Sequence, residues 1–113
     1  MKEGNRVMMQ ERDRAILEQF AVRVRALYPS ARMWAFGSRT RGQAQSDSDL
    51  DVCVVLDRLD PEIRSIISEI AWEVGFAQDL LICTVVFSRE MFERGPASAS
   101  PLVRTIREEG VAA

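Results

Sequence analysis

Two short apolar runs, separated by a polar stretch, constrain this chain more than any other feature. The first run, MWAF, ends at Gly37 and Ser38, and the second, LDVCVVL, begins beside Asp49 and contains Asp51. Short apolar, β-branched runs bounded by turn residues predict buried strands. Aspartate is unfavourable inside a strand. We therefore expect two strands, with both aspartates at the entrance of the second.

The spacing of these two aspartates indicates a cation site. Side chains alternate between the faces of a strand, so Asp49 and Asp51 point the same way, with their α-carbons about 7 Å apart. Two carboxylates at that range repel each other by roughly 2–3 kcal/mol at an effective dielectric constant near 20. Mg²⁺ is usually held by one or two carboxylates together with substrate phosphates. The pair beside a Gly-Ser turn therefore fits a metal-bound nucleoside triphosphate.

The same residues also have interpretations without a ligand. A Gly-Ser dipeptide after a strand can be a turn with a local hydroxyl hydrogen bond. Asp49 and Asp51 can form a solvated strand entrance, or pair with Arg39 or Arg41. The ten residues between Ser38 and Asp49 favour the ligand site, because a loop of this length can return the serine to the carboxylates.

Composition limits both the size and the chemistry of the protein. The 113 residues are enough for one domain with its own core. The absence of histidine leaves carboxylates, hydroxyls, arginine and cysteine for any catalysis. The net charge of -2 disfavours a general electrostatic contact with nucleic acid. Cys53 and Cys83 lie in apolar runs, where we expect buried core residues.

No part of the sequence indicates a membrane span or an exported protein. The apolar runs are shorter than the roughly 20 residues that a transmembrane helix needs. The N-terminal residues lack the apolar core of a signal peptide. We therefore expect a cytoplasmic protein without membrane contact.

Periodicity and capping residues predict the helices and a third strand. One amphipathic helix runs from about Arg6 to Tyr28, and a second begins at Asp60-Pro61-Glu62 and ends at Gly75. Further predicted elements are a strand from Leu80 to Phe87, a short helix capped by Ser88, and a last helix from Ser100-Pro101.

The fold class that this order predicts is α/β (α+β), a small mixed sheet of three or more strands flanked by helices. The chain forms a single domain. We expect an N-terminal helix in 1–28, the core in 31–87 and C-terminal helices in 88–113.

The Gly37-Ser38 turn, the ten-residue interval and the Asp49-x-Asp51 strand together resemble the minimal nucleotidyltransferases of the DNA polymerase β superfamily. The chain is similar in particular to the bacterial antitoxins that are paired with HEPN-domain toxins. The resemblance covers most of the chain, from roughly Phe20 onward, and implies the nucleotidyltransferase fold. It also implies transfer of a nucleoside monophosphate, AMP from ATP or from another nucleoside triphosphate, to a hydroxyl of a protein partner.

The resemblance implies catalytic and metal-binding roles for three carboxylates. Asp49, Asp51 and Asp79 would hold two Mg²⁺ ions, which clamp the attacking and leaving oxygens of the displacement at phosphorus. Asp79 would also help to deprotonate the acceptor hydroxyl. A lone aspartate before a strand can instead be only a turn residue.

The resemblance also implies a set of residues that bind the triphosphate. Gly37 would let the backbone approach the phosphates, and Ser38 would donate hydrogen bonds to them. Arg39 and Arg41 would neutralise their charge. Exposed arginines are common in this chain, so both also have a purely structural interpretation. Further polar contacts, with a plain loop role as the alternative, would come from Ser48 and Gln45.

Three function classes remain open at this point. An active enzyme would modify a partner that completes the site from another chain, because so short a chain has little left to form an acceptor pocket. A non-catalytic or weakly catalytic antitoxin would act by complex formation alone. Nucleotide addition to an RNA end is less favoured, because the chain lacks a basic, aromatic-rich strip. The base of the nucleotide, the acceptor, and the homo- or hetero-oligomeric state do not follow from the sequence.

Overall fold

A four-stranded sheet with helices on both faces forms the protein, as a computed structural model that describes residues 9–42 and 48–113 shows. The helices and strands follow in the order α1 (Glu11–Leu27), β1 (Arg32–Phe36), β2 (Leu50–Leu56), α2 (Pro61–Ala77), β3 (Ile82–Ser88), α3 (Arg89–Glu93), α4 (Pro101–Glu109) and β4 (Val111–Ala112). The predicted fold class is confirmed, with β4 as an additional strand. The predicted start of the first helix and Gln45 lie outside the described residues. Within those residues, no helix has the length and apolar character of a membrane span.

The sheet has the strand order β3-β2-β1-β4. Strand β1 is antiparallel to β2 and β4, whereas β2 and β3 are parallel and are connected through α2. The register pairs Phe36 with Asp51 and Asp51 with Cys83. Paired residues point to the same face of a sheet. Phe36, Asp51 and Cys83 therefore lie at one level on one face.

The two faces of the sheet are covered by different helices. Helices α1 and α2 pack the larger apolar core onto one face, where Leu50 and Val52 are fully buried. Helices α3 and α4 pack a smaller cluster onto the other face, with Cys53 and Phe92 among its members. Asp51 lies on this second face beyond the cluster and is partly exposed.

Helix α2 begins where the sequence predicts but ends later than predicted. The Asp60 carboxylate accepts a hydrogen bond from the Ile63 amide at 2.8 Å, and Pro61 occupies the first turn. Gly75 is a buried residue within the helix, which ends at Ala77. A Cβ at this position would collide with the Leu80 carbonyl oxygen. Because Gly75 has no side chain, the backbone at Leu80 can pack directly against α2 after the turn.

Strand β3 begins at Ile82, after the predicted start at Leu80. The Leu80 amide donates a hydrogen bond to the Gly75 carbonyl at 2.9 Å. Asp79 adopts a positive φ of 56°. Both residues therefore belong to the turn that follows α2, and the pairing of β3 with β2 starts only after them.

Candidate active site

Asp49 and Asp51 flank the buried Leu50 at the entrance of β2, and both are partly exposed. The Leu50 amide donates a hydrogen bond to the Leu81 carbonyl at 2.9 Å, which fixes this entrance against the neighbouring segment. Burial raises the pKa of the Asp51 carboxyl, and the negative charge of Asp49 raises it further. The fold therefore holds the two carboxylates at an electrostatic cost that a bound cation would relieve.

Gly37 lies against the Asp51 side chain at the end of β1. Its φ of 89° is in the region that favours glycine. A Cβ at this position would lie 2.6 Å from Asp51 Oδ2, closer than real Cβ contacts allow. Both the backbone conformation and the available space therefore require glycine here. The turn and the carboxylate form one continuous surface.

Ser38 begins a single 3-10 turn that spans Ser38–Thr40. The Thr40 hydroxyl and amide both donate to the Gly37 carbonyl, at 2.6 and 3.1 Å. The Arg41 amide donates to the Ser38 carbonyl at 3.1 Å. These hydrogen bonds hold the partly exposed Ser38 next to the contact between Gly37 and Asp51. The predicted turn and carboxylate pair thus meet at one corner of the sheet.

Arg39 is buried, with 6% exposure, and pairs with Asp13 of helix α1. Its Nη1 atom lies 3.1 and 3.0 Å from the two Asp13 carboxylate oxygens, and its Nε donates to the Ser48 carbonyl at 2.8 Å. A buried charge is costly unless it is paired with an opposite charge and hydrogen-bonded. The contact of Arg39 with the triphosphate stays a prediction, and the structure shows that this side chain also has a structural role. Arg39 connects the glycine turn to α1 and to the residue before Asp49.

Asp13 is a residue of this region that the sequence reasoning missed. It is 1% exposed and belongs to the buried stripe of α1, with Ile16, Leu17 and Phe20. A carboxylate at helical spacing inside an apolar stripe requires a buried cationic or hydrogen-bonding partner. The position of Asp13 in this apolar stripe was therefore the sequence feature that could have predicted its buried ion pair.

Arg41 and Ser48 have different surroundings from Arg39. Arg41 is exposed, and its Nη1 lies 3.2 Å from Glu109 Oε1. Exposed ion pairs of this kind are weak, so the pair does not prevent a contact between Arg41 and a phosphate. Ser48 is partly exposed, and the bond from Arg39 involves its backbone. The triphosphate roles of both residues stay predictions.

The structure does not bring Asp79 to the carboxylate pair. Asp79 is exposed in the turn after α2, beside the exposed Trp72. Its charge is not among the causes that raise the pKa values of Asp51 and Cys83. In residues 9–42 and 48–113, no group of three His, Cys, Asp or Glu side chains is arranged to hold a metal ion. The catalytic and metal-binding role of Asp79 stays a prediction, and the side chains that the structure brings together are those of Asp49 and Asp51.

Cys83 lies opposite Asp51 in β3 and contacts the pair. Its thiol donates a hydrogen bond to Asp49 Oδ2 at 3.1 Å. Burial, this hydrogen bond and the charges of both aspartates raise the pKa of the thiol to about 11, so it is protonated at neutral pH. Cys53 is fully buried as predicted, whereas Cys83 is only partly buried and is not a core residue.

The oxygen atoms of this corner fit a hard divalent cation that is bound together with phosphate. Asp49 and Asp51 supply carboxylates, the ligands that Mg²⁺ prefers, while other coordination positions go to water and phosphate oxygens. Gly37 brings the backbone of the turn against Asp51, so a phosphate held at the turn would lie next to the carboxylate pair. The residues present therefore fit a metal-nucleotide site.

The family model described as a nucleotidyltransferase domain matches residues 17–112 of the sequence. The chain belongs to the nucleotidyltransferase domain family. The resemblance to the minimal nucleotidyltransferases of the DNA polymerase β superfamily is confirmed by this match and by the fold.

A solved structure of this fold is similar to the nucleotidyltransferase domain described here. It is the toxin-antitoxin MntA-HpeT, a mutant in which two aspartates separated by one residue are replaced by glutamate. The TM-score is 0.57 at 22% sequence identity, over 84% of this chain and 70% of that chain. No curated protein matches the sequence. At this identity the structural likeness concerns the fold, and the function has to be argued from the site.

Proposed function

We propose that this nucleotidyltransferase domain binds ATP with Mg²⁺ and transfers AMP to a hydroxyl group of a protein partner. The contact between the Gly37 backbone and the Asp51 carboxylate carries the proposal. Through this contact, the turn that phosphates can approach lies next to the carboxylate pair that can hold a cation. Bound Mg²⁺ stabilises the negative charge that develops on a transferred phosphoryl group.

The residues of the site divide the work of this reaction. Asp49 and Asp51 bind the cation, and Ser38 donates hydrogen bonds to phosphate oxygens beside Gly37. The acceptor oxygen forms a bond to the α-phosphorus, and the bond from that phosphorus to diphosphate breaks. As this bond forms, the proton of the acceptor hydroxyl passes to water or to a carboxylate of the site.

The proposed partner is a HEPN-type toxin, with this chain as its antitoxin. The partly exposed carboxylates at the corner of the sheet are accessible to a side chain of another protein. The similar fold in a toxin-antitoxin structure supports this class of partner. A cytoplasmic location, where ATP and Mg²⁺ are present, belongs to the same proposal.

Label transfer from ATP tests the proposed reaction. The purified chain is incubated with Mg²⁺, ATP labelled at the α-phosphate and the protein encoded beside it. We expect label on the partner, no label from ATP that carries it at the γ-phosphate, and no transfer by Asp49→Ala. The matched control is Asp79→Asn, which leaves the pair intact and should retain transfer. Transfer that survives Asp49→Ala would overturn the proposal.

A second candidate function is favoured by the position of Asp79 outside the pair. A chain with two carboxylates in the site, and a thiol where a third would fit, can act as a non-catalytic or weakly catalytic antitoxin that binds its partner. In that case the same incubation gives a stable complex with the partner and no label on it.

A further inference from the structure

Asp49 is held through the two residues that flank it in the chain. On one side, the Leu50 amide donates a hydrogen bond to the Leu81 carbonyl at 2.9 Å. On the other side, the Ser48 carbonyl accepts a hydrogen bond from Arg39 Nε at 2.8 Å. Ser48 precedes β2 and lies outside the strand pairing. The backbone ahead of Asp49 is therefore tied to a side chain of the 3-10 turn and not to the sheet.

Helix α1 fixes the direction of the same arginine side chain. Arg39 Nη1 lies 3.1 and 3.0 Å from the two carboxylate oxygens of Asp13, and both side chains are almost fully buried. A guanidinium is planar, and its donors have fixed directions. The contact of Nη1 with Asp13 therefore also sets the direction in which Nε points. In this way Asp13 orients the hydrogen bond to Ser48.

Arg39 stands between the two parts of the proposed site. It directly follows Ser38 in the turn, and it bonds to the residue before Asp49. Ten residues separate Ser38 from Asp49, and bringing the ends of such a segment together costs conformational entropy. The bond from Arg39 to Ser48 holds the two ends of this segment together.

The position of Asp49 is important because a hard cation tolerates little displacement of its ligands. Asp49 and Asp51 are both partly exposed, and like charges repel each other. Mg²⁺ requires near-ideal octahedral geometry. A backbone that is free to move ahead of Asp49 would let this carboxylate move away from Asp51. We therefore expect the affinity for a divalent ion to depend on the bond to Ser48.

We infer that the buried ion pair of Asp13 and Arg39 positions Asp49 for the cation, through the carbonyl of Ser48. The inference rests on the proposed metal-nucleotide function of the carboxylate pair. It makes Asp13 and Arg39 positioning residues, one of which lies in α1, outside the strands and the turn that form the site. It does not require a contact between Arg39 and the triphosphate.

Mn²⁺ binding without nucleotide tests the positioning role. The full chain is titrated with Mn²⁺, and the free ion is measured by electron paramagnetic resonance. The variant combines Asp13→Leu with Arg39→Met, because apolar replacement of both members of a buried ion pair often preserves stability. We expect a folded protein that binds Mn²⁺ roughly 3–10-fold more weakly than the wild type. Wild-type affinity in this folded variant would overturn the inference.

Arg39→Lys keeps the inference falsifiable if the double variant does not fold. A lysine ammonium retains the charge beside Asp13, but its single nitrogen cannot replace the separate Nε donor to Ser48. We expect Mn²⁺ binding to weaken in this variant as well. Unchanged affinity in the folded Arg39→Lys protein would contradict the positioning role.

The matched control removes an exposed ion pair of α1. Arg23 Nη2 lies 2.6 Å from Glu73 Oε1, and both side chains are about half exposed. The combination of Arg23→Gln with Glu73→Gln should bind Mn²⁺ as the wild type does. A loss of affinity equal to that of the buried-pair variant would show that any ion pair of α1 has this effect, and would overturn the inference.

A repeat of the titration with nucleotide separates positioning from a direct contact of Arg39 with the triphosphate. The nucleotide is an ATP analogue that has a methylene group between its α- and β-phosphorus atoms. Positioning of Asp49 predicts weaker Mn²⁺ binding by the double variant both with and without the analogue. Weakening that occurs only in the presence of the analogue would indicate a direct phosphate contact instead, and would overturn the inference.

The metal-nucleotide function and the inference fail in distinguishable ways. Mn²⁺ binding that does not depend on Asp49 and Asp51 refutes the metal-nucleotide function and the inference together. Binding that requires both aspartates but is unchanged by loss of the buried ion pair refutes only the inference.

Discussion

Strand β2 has different chemistry on its two faces. Toward α1 and α2, Leu50, Val52 and Leu56 belong to a continuous apolar core. The opposite face is apolar where α3 and α4 cover it, and it ends at the partly exposed Asp49 and Asp51. The alternation of side chains along one strand thus separates stability from ligand chemistry. Substitutions on the first face should change the free energy of unfolding, and substitutions of Asp49 or Asp51 at the exposed end of the second face should change ligand binding.

The largest expected effect is a loss of stability when the ion pair between Asp13 of α1 and Arg39 of the turn after Gly37 is broken. Asp13→Ala leaves the buried Arg39 charge without its carboxylate, so the free energy of unfolding should fall by about 3–5 kcal/mol. Urea denaturation measures this change. The matched control is Glu109→Gln, which breaks the exposed pair with Arg41 and should cost about 1 kcal/mol or less. Equal costs for the two variants would contradict the structural role of the buried pair.

Removing apolar volume from the first face should lower stability without changing ligand binding. Leu56 is buried at the end of β2 that is remote from the aspartates. We expect Leu56→Ala to lower the free energy of unfolding by about 2–5 kcal/mol. Calorimetric affinity for Mg²⁺ with the methylene ATP analogue should stay at the wild-type value while the variant is folded. A loss of affinity in the folded variant would contradict the claim that the first face affects stability but not ligand binding.

Gly37→Ala should affect both properties, because Gly37 lies at the boundary of the second face. Its positive φ predicts a stability loss of about 1–3 kcal/mol, and the added Cβ would displace the Asp51 carboxylate. Nucleotide affinity should therefore fall in the same calorimetric assay. Gly42→Ala is the control, since Gly42 also has a positive φ, of 70°. Equal losses of affinity in the two variants would show that strain, and not the contact with Asp51, is responsible.

The smallest expected effect is a gain of stability when the Asp51 charge is removed. The pKa of Asp51 is raised in the folded protein from its ordinary value of 3.8, so its ionisation weakens the fold as pH rises through the folded pKa. Without metal, Asp51→Asn should therefore melt at a higher temperature than the wild type at neutral pH. The difference should shrink as pH falls from the folded pKa toward 3.8 and should be smallest below 3.8, where Asp51 is protonated in both states. A lower melting temperature of Asp51→Asn at neutral pH would contradict the assignment.

Local sequence was sufficient to predict the helices and the first three strands, and to place Asp49 and Asp51 at the entrance of β2. The limits of β2 follow from one β-branched run, and the start of α2 follows from the Asp60 cap. The position of Asp79 was not predictable in this way. It depends on how closely the chain turns past Gly75, which moves the start of β3 to Ile82. That packing involves backbone atoms of two elements and leaves no periodic pattern.

Long-range partners were the other part that the sequence did not reveal. Arg39 and Asp13 are 26 residues apart, and only the packing of α1 against the turn brings them together. Strand β4 contains two residues, Val111–Ala112, too few for an alternating pattern. The hydrogen bond of Cys83 to Asp49 depends on the register between β2 and β3. The residue types at these positions are common, and their structural roles depend on tertiary contacts that the sequence does not show.

A crystal structure of the chain with Mn²⁺ and the methylene ATP analogue would test most directly whether the turn and the carboxylates form one site. We expect anomalous density for the ion between Asp49 and Asp51, with the triphosphate against Gly37 and Ser38. An ion or a triphosphate bound away from these four residues would contradict the proposed metal-nucleotide site.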